Sequence, residues 1–365
     1  MSAVLPAVGQ DALDASVKEE ATPERIAQLA LELSARVQSA VVRIENLNNQ
    51  SRLLSLNAQI ESARCGHAGA AFGVVASEMR KLSESTADVA RSVTEETGGT
   101  IADLSRISEV LATNVRGTRL ADLALNNIDL IDRNLYERSC DCRWWATDSS
   151  LVDALTLRTP EARSHASSRM GVILNAYTVY FDLVLADLTG EIVANGRPDR
   201  FPSQGTNHCT ADWFRTALQT QSGEEFGFHS AHPSSLVGGE RVLIYSAGVR
   251  ERGETHGNML GALGIVFNWD ALAQTIVNKT PLSPAEMKRS RVCIADSSGR
   301  VLADSQNQQL RDVLDFPGRE QVMRKGKGFE IVMIDRRPHC VAHSPSPGFE
   351  TYATGWHSFI LQEMT

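Results

Sequence analysis

Residues 47–82 read LNNQSRLLSLNAQIESARCGHAGAAFGVVASEMRKL, and the spacing of their apolar positions decides the fold of the N-terminal third. At the centre stands Cys65-Gly66-His67-Ala68-Gly69, where two glycines bracket a chain reversal. On its N-terminal side a seam runs Ile26, Ala30, Leu33, Val37, Ala40, Ile44, Leu47, Ser51, Leu54, Ala58, Glu61 and Cys65, in steps that alternate four and three. On its C-terminal side the seam resumes at Phe72, Val75, Met79, Leu82, Thr86, Val89 and Val93. Such steps keep one stripe of a helix facing a partner, which is the heptad pattern of a coiled coil. Two heptad arms around a tight turn predict a long antiparallel helical hairpin. Thr22 and Pro23 offer an N-cap and a first-turn proline for the first arm. Gly98-Gly99 follow the second arm; glycine costs roughly 1 kcal/mol in a helix interior, so a break or joint is expected there.

The hairpin tip resembles the signalling tip of bacterial methyl-accepting chemotaxis receptors. The resemblance is carried by Gln50, Leu53, Leu54, Leu56, Asn57, Ala58, Ile60, Glu61, Ala63 and Arg64 before the turn and by Gly66 and Gly69 within it. After the turn it continues through Phe72, Val74, Val75, Ala76, Glu78, Arg80 and Leu82. In that family the tip docks a histidine kinase and a coupling adaptor and packs as trimers of dimers. The resemblance therefore implies partner-binding roles for polar Asn57, Glu61 and Arg64 and for apolar Leu54, Ile60, Val74 and Val75. Leu54 and Val75 also fall on the seam, and their spacing favours packing within the hairpin. A homodimer is expected, because one hairpin buries only part of its seam and four helices complete a bundle.

The departures from the family pattern concentrate at the turn. Arg52 stands where the family has Asn, His67 where Glu is usual, and Ala70-Ala71 where Arg-Gly is usual. The turn has exchanged a carboxylate for an imidazole and lost a guanidinium, which puts kinase control in question while docking is expected to persist. The arms span about six heptads and stop short of where methylation helices would lie. Glu19-Glu20 and Glu95-Glu96 accordingly read as solvated helix-end charges rather than methylation sites.

Composition narrows the remaining classes. The 365 residues include 36 Lys+Arg against 44 Asp+Glu, a net charge of -8, and no basic cluster suited to nucleic acid stands out. A spanning helix needs about 20 apolar residues, whereas the most apolar stretch, 171–186, is interrupted by Asn175 and Asp182. Residues 1–20 lack the apolar core of a secretory signal. A cytoplasmic protein with no membrane span is expected, its six cysteines free thiols. Cys140 and Cys142 form a C-x-C pair without further ligands, so no metal and no cofactor are expected. No P-loop, G-x-S-x-G, H-E-x-x-H or kinase signature occurs, and an enzyme is not expected.

Beyond Trp144 the grammar changes. Helix is expected from Arg119 to Thr156 and from Pro160 to Ala176, and then strands begin. Residues 180–187, a Thr189-Gly190 turn and residues 191–195 read as an antiparallel β-hairpin. The pattern recurs at residues 292–296, Ser298-Gly299 and 300–303, an internal repeat. A short helix at 211–218 and strands at 242–249 and 260–269 lie between. A long helix followed by two hairpin-bearing lobes resembles the double Cache sensor domain, with PAS-like lobes.

That resemblance implies a small-molecule ligand in the first lobe, with Trp213, Phe214, Tyr245, Asp182 and Arg197 as candidate ligand-binding residues. Cache domains that recognise amino acids carry an Arg two positions before the Trp and an Asp on the closing strand. Here Ala211 and Val266 occupy those positions, which disfavours an α-amino-acid ligand. The expected fold class is multidomain: an all-α antiparallel coiled-coil hairpin plus an α+β double Cache domain with antiparallel sheets. The expected layout is a flexible N-terminus at 1–21, the signalling hairpin at 22–97 with its tip near 65–70, and a joint at 98–118. A sensor follows at 119–365, with lobes at about 177–280 and 288–363. The function expected is that of a chemoreceptor-like transducer acting on a chemotaxis histidine kinase; the alternative is a non-regulating scaffold that occupies receptor arrays.

Overall fold

A computed structural model describes residues 23–364; the stretch 1–21, including Glu19-Glu20, and the Thr22 cap lie outside the described residues. The chain divides into two compact units, the first ending at Arg116 and the second beginning at Gly117.

The first unit is the helical hairpin. Helix α1 (Pro23–Arg64) leads through a tight turn at Gly66–Gly69 into α2 (Ala70–Trp145), a helix of 76 residues. The turn falls where the bracketing glycines place it. The helix does not break at Gly98-Gly99, contrary to the expectation from the glycine pair. Ending and restarting a helix would orphan four carbonyls and four N–H groups, a larger cost than two weak helix formers. The neighbouring Thr100 hydroxyl donates to the Glu96 carbonyl one turn back instead of capping a new helix.

The arms meet along small residues. Ala30, Val41 and Ser55 on α1 and Ala76, Ser83 and Ala90 on α2 are buried. The bulkier positions of the predicted seam, among them Leu33, Leu47, Phe72, Leu82 and Val89, are exposed. Leu54 keeps 63% and Val75 58% of its surface, so neither packs within the hairpin as its spacing suggested. Apart from Ala30, which lies on the stripe itself, the buried contact residues stand one position over from it. Serine and alanine let the two backbones approach within side-chain hydrogen-bond reach, which leucine would prevent, and the leucine face turns outward.

The second unit is built around the C-terminal part of α2, whose Leu120, Ala124, Ile128, Ile131 and Leu135 are buried in its main core. The helix expected to continue to Thr156 ends at Trp145. Asp148, in extended conformation, accepts from the Ser150 N–H and starts a new helix, α3 (Ser149–Leu157). Helix α4 (Pro160–Ala176) begins on a Thr159 cap with proline in its first turn.

Two antiparallel five-stranded sheets follow. The first comprises β1 (Tyr180–Asp187), β2 (Ile192–Asn195), β3 (Gly227–Pro233), β4 (Arg241–Arg250) and β5 (Met259–Asn268), ordered β2-β1-β5-β4-β3. Helix α5 (Asp212–Gln219) precedes β3, and α6 (Trp269–Asn278) and the short α7 (Pro284–Lys288) lead to the second sheet. That sheet repeats the order with β6 (Ser290–Ala295), β7 (Val301–Asp304), β8 (Gly328–Ile334), β9 (Arg337–Pro345) and β10 (His357–Glu363), as β7-β6-β10-β9-β8, with α8 (Arg319–Arg324) before β8.

The repeat has one physical cause. Asp187 Oδ1 accepts from the Thr189 N–H, the Thr189 hydroxyl and the Glu191 N–H. Asp296 Oδ1 takes the same three donors from Ser298 and Arg300. Gly190 and Gly299 follow at φ 85° and 90°, a turn conformation that glycine adopts without strain. Strand alternation then sorts the first sheet. Leu183, Leu185, Leu243, Tyr245 and Ile265 face the main core against the helices. Val184, Ala186, Ile244 and Val266 face a separate cluster beneath α5.

Candidate functional site

Two surfaces carry the residues singled out by the sequence. The first is the hairpin tip. The Ser62 hydroxyl donates to the Gly69 carbonyl at 2.6 Å and holds the turn closed. Leu54, Ile60, Val74 and Val75 are all exposed there, and Phe72 keeps 72% of its surface. Asn57 is also exposed, and Arg64 pairs with Glu61 at 3.7 Å across one helical turn, both in solvent. Such an exposed pair contributes well under about 1 kcal/mol to stability. Isolated exposed apolar residues are ordinary; here five of them lie within about three turns on either side of one chain reversal.

The second surface is the face of the first sheet covered by α5. Trp213 and Phe214 come from one turn of α5 and are buried against Val184, Ile244 and Val266. The Trp213 carbonyl accepts from the Ser246 hydroxyl at 2.7 Å, fixing α5 to β4. Gly264 lies directly under the indole, where a Cβ would crowd the ring. The indole N–H has no partner.

Asp182 lies on the same face, fully buried. Its carboxylate accepts from Asn195 Nδ2 at 2.7 Å and from the backbone N–H of Leu183 and Arg197 at 2.9 and 3.0 Å. Burial pushes its pKa up to about 6, against the pull of these hydrogen bonds. Arg197 turns away from it: its guanidinium donates to the carbonyls of Tyr180, Phe181 and Leu174 and so ties β1 to the end of α4. Tyr245 lies on the opposite face of the sheet. It packs against Phe226 and Phe228, and its hydroxyl meets that of Tyr352 at 2.6 Å. The five residues read as ligand candidates are therefore distributed between the two faces of one sheet, with Trp213, Phe214 and Asp182 together and Tyr245 apart.

Beside Trp213 opens a cavity of about 580 Å³, lined by residues from the loop after β2 and the turn before β4. It is walled by Phe201, Pro202 and Leu236 and carries Arg200, Ser203, Thr206 and His208. The His208 ring lies 6.2 Å from the Trp213 ring. Burial lowers the His208 pKa, so the imidazole is neutral at neutral pH. None of these four polar residues stood out in the sequence, because a loop between a short strand and a short helix has no periodicity to mark which side chains point inward. A second cavity, of about 610 Å³, lies at the start of α4 and is lined in part by Arg158, Arg163, Ser167 and Glu191. Among the described residues no cluster of His, Cys, Asp and Glu could hold a metal ion.

Known proteins match the two parts of the chain separately. Residues 9–129 match the model of the methyl-accepting chemotaxis protein (MCP) signalling domain. The methyl-accepting chemotaxis protein McpC of Bacillus subtilis is 44% identical over 59 residues, 16% of this chain and 9% of McpC. The frizzy aggregation protein FrzCD of Myxococcus xanthus is 31% identical over 123 residues, 33% of this chain and 29% of FrzCD. The matched stretches are thus a minor share of these relatives' lengths. The sensory domain of the Campylobacter jejuni chemoreceptor Tlp3 shares the fold of the second part, with a TM-score of 0.51 at 14% identity, covering 67% of this chain and 92% of that one. The ligand-binding domain of the same receptor, in complex with 4-methylisoleucine, gives a TM-score of 0.50 at 15% identity, covering 67% and 89%. Among the described residues no helix is long and apolar enough to cross a membrane. The chain therefore joins a stretch that matches the MCP signalling domain, residues 9–129, to a unit with the fold of a chemoreceptor sensory domain.

Proposed function

We propose that the chain is a soluble, cytoplasmic chemoreceptor-like transducer. A small ligand binds the first lobe beside Trp213, and the hairpin tip passes the change to a chemotaxis histidine kinase and its coupling adaptor. The observation that carries this reading is the division of labour in the hairpin: small residues close the arms on each other and the bulky apolar residues stay outside. A hairpin built only for its own stability would bury Leu54, Phe72 and Val75. Leaving them exposed suits a face that other helices cover, first a second copy in a dimeric four-helix bundle, then partners and trimers of dimers at the tip.

Helix α2 begins at the tip turn and ends in the core of the sensory unit, so a ligand-dependent change around Ile128 or Leu135 acts on the helix that forms the tip. The ligand must prefer one state of that helix, with a coupling of about 1–3 kcal/mol. A second reading, a scaffold that occupies receptor arrays without regulating the kinase, is favoured by the altered turn at His67, Ala70 and Ala71. Co-sedimentation with purified adaptor and kinase tests docking under both readings, and the kinase phosphorylation rate separates them. Docking with an altered rate supports the transducer; docking with an unaltered rate supports the scaffold.

A further inference from the structure

Strand β3 carries a β-bulge that puts two imidazoles on one face. His229 stands opposite Ile244 and His232 opposite Val242, so three steps on β3 match two on β4. Phe228 and Ala231 therefore both pack on the main core, and His229 and His232 share the other side. Their rings stack 3.7 Å apart at an interplanar angle of 16°. His229 Nε2 lies 3.7 Å from Asp212 Oδ2, in the first turn of α5. His232 Nδ1 lies 2.7 Å from the Ser230 carbonyl, which only accepts, so that nitrogen carries the ring's proton. His229 Nδ1 is buried and has no hydrogen-bond partner. The other oxygen of Asp212 accepts from Arg215, also on α5, at 2.5 Å. From β4 the residues opposite are apolar, Arg241 at its start is held by Asp270, and Glu240 before it is exposed.

We propose that the stacked His229–His232 pair is an acid-sensitive latch: neutral, it holds the end of β3 against α5, and protonated it lets that end go. The proposal rests on the sensory reading of the first lobe and adds the proton to the signals that lobe answers. A protonated imidazole carries an N–H on both nitrogens. On His229 one of these, Nδ1–H, is buried with no acceptor, which costs free energy. A second charge, on His232, places two cations in stacking contact. Asp212 offsets one of them at most, since Arg215 holds its other oxygen. Both penalties are relieved once the strand end reaches water, so the released form binds protons more tightly than the latched one. Burial and then His232 lower the His229 pKa, against the pull of Asp212. The latch is therefore closed at neutral pH and weakens as pH falls through the ordinary histidine value of about 6.5. Its position gives release a consequence. Asp212 precedes Trp213 on α5, and β3 leads into the Ser235–Val237 turn. Ser235, Leu236 and Gly238 line the cavity beside Trp213, so the latch ties that wall of the cavity to the helix next to it.

The test is hydrogen exchange of the full chain at about pH 7.5 and about pH 5, with rates corrected for the intrinsic pH dependence of exchange. The expected result is a loss of protection of at least about tenfold at amides 229–237 on acidification, with β1 and β5 unchanged. His229→Gln and His232→Gln, both at half-buried positions, each reduce that loss to about threefold or less. Equal protection of amides 229–237 at the two pH values overturns the proposal. A parallel loss in β1 and β5 also overturns it, because that is acid unfolding of the whole unit, and so does a full wild-type response in either variant. The comparison of β3 with β1 and β5 within the wild-type chain needs no variant, so it decides the matter even where a substitution impairs folding. None of these outcomes involves the kinase, so the transducer reading is judged separately, on phosphorylation.

Discussion

The Ser55 hydroxyl donates to the backbone carbonyl of Ala76 at 2.7 Å, across the two arms of the hairpin. Seven residues nearer the turn on each arm, Ser62 does the same to Gly69 at 2.6 Å; seven residues farther away, Asn48 Nδ2 reaches the Ser83 carbonyl at 2.7 Å. One polar side chain per heptad on α1 thus bonds the opposite backbone, and the three bonds define a single register. A slide of one to six residues would part each donor from its carbonyl, so the ladder penalises every register that falls between whole heptads.

Two substitutions separate the hydrogen bond from the close approach. Ser55→Ala loses one buried bond and leaves the Ala76 carbonyl, already bonded along its helix, largely satisfied; a loss of about 1 kcal/mol is expected. Ser55→Leu keeps no bond and forces the backbones apart, at an expected cost of about 1–3 kcal/mol or more. Urea unfolding followed by helical circular dichroism, at fixed protein concentration, should rank wild type, alanine and leucine in that order.

Gly69 is required by proximity. A Cβ there would overlap the Ser62 carbonyl, which is backbone and cannot swing aside. Gly69→Ala should open the turn and break the Ser62–Gly69 bond, with the damage confined to the tip. Hydrogen exchange should quicken at amides 60–75 while the second unit keeps its protection.

Asp182 and His343 should give opposite pH slopes. The Asp182 pKa is raised to about 6 by burial, above the unfolded value of about 3.9. The folded state therefore holds its proton more tightly, and stability falls as pH rises from about 4 to 6, by roughly 3 kcal/mol. His343 is buried, with Nε2 2.8 Å from His357 Nδ1, and burial and then the neighbouring imidazole push its pKa down to about 4. The unfolded state is protonated first, near 6.5, so stability falls as pH drops from about 6.5 to 4, again by roughly 3 kcal/mol. The change in thermal midpoint between pH 4 and 6.5 should be more positive than wild type in Asp182→Asn and less positive in His343→Gln. Equal slopes in all three proteins would contradict both assignments.

Much of this architecture was legible in the sequence because local chemistry determines it. The glycines at 66 and 69 placed the turn, and the two Asp-x-x-Gly hairpins were read correctly because one carboxylate organises each turn from within five residues. The partner face of each helix was harder. Heptad spacing marks an apolar stripe, and Leu54 and Val75 lie on it, but spacing does not say whether the stripe meets the other arm or a different molecule. The small-residue ladder of Ser55 and Ala76, which does close the arms, is silent on a hydrophobicity scale. In the first sheet's lobe Trp213 and Phe214, paired on a short helix in the sequence, come to lie on the same face as Asp182. Tyr245 went to the other face because alternation along β4 can be counted only once the strand's inner side is known. Arg197, a ligand candidate in the sequence, has its guanidinium bonded to three carbonyls that are far from it in sequence and so invisible there.

The most direct test of the transducer reading is the autophosphorylation rate of a purified chemotaxis kinase with its adaptor, measured with and without the full chain. A change of at least twofold, about 0.4 kcal/mol in the balance of kinase states, is expected, and it should disappear in the Leu54→Glu, Val75→Glu double variant. Both side chains are exposed, so the variant keeps the packing within its hairpin and loses the apolar face that a second copy and the partners would cover. An unchanged rate, with the chain demonstrably bound to adaptor and kinase, would contradict it.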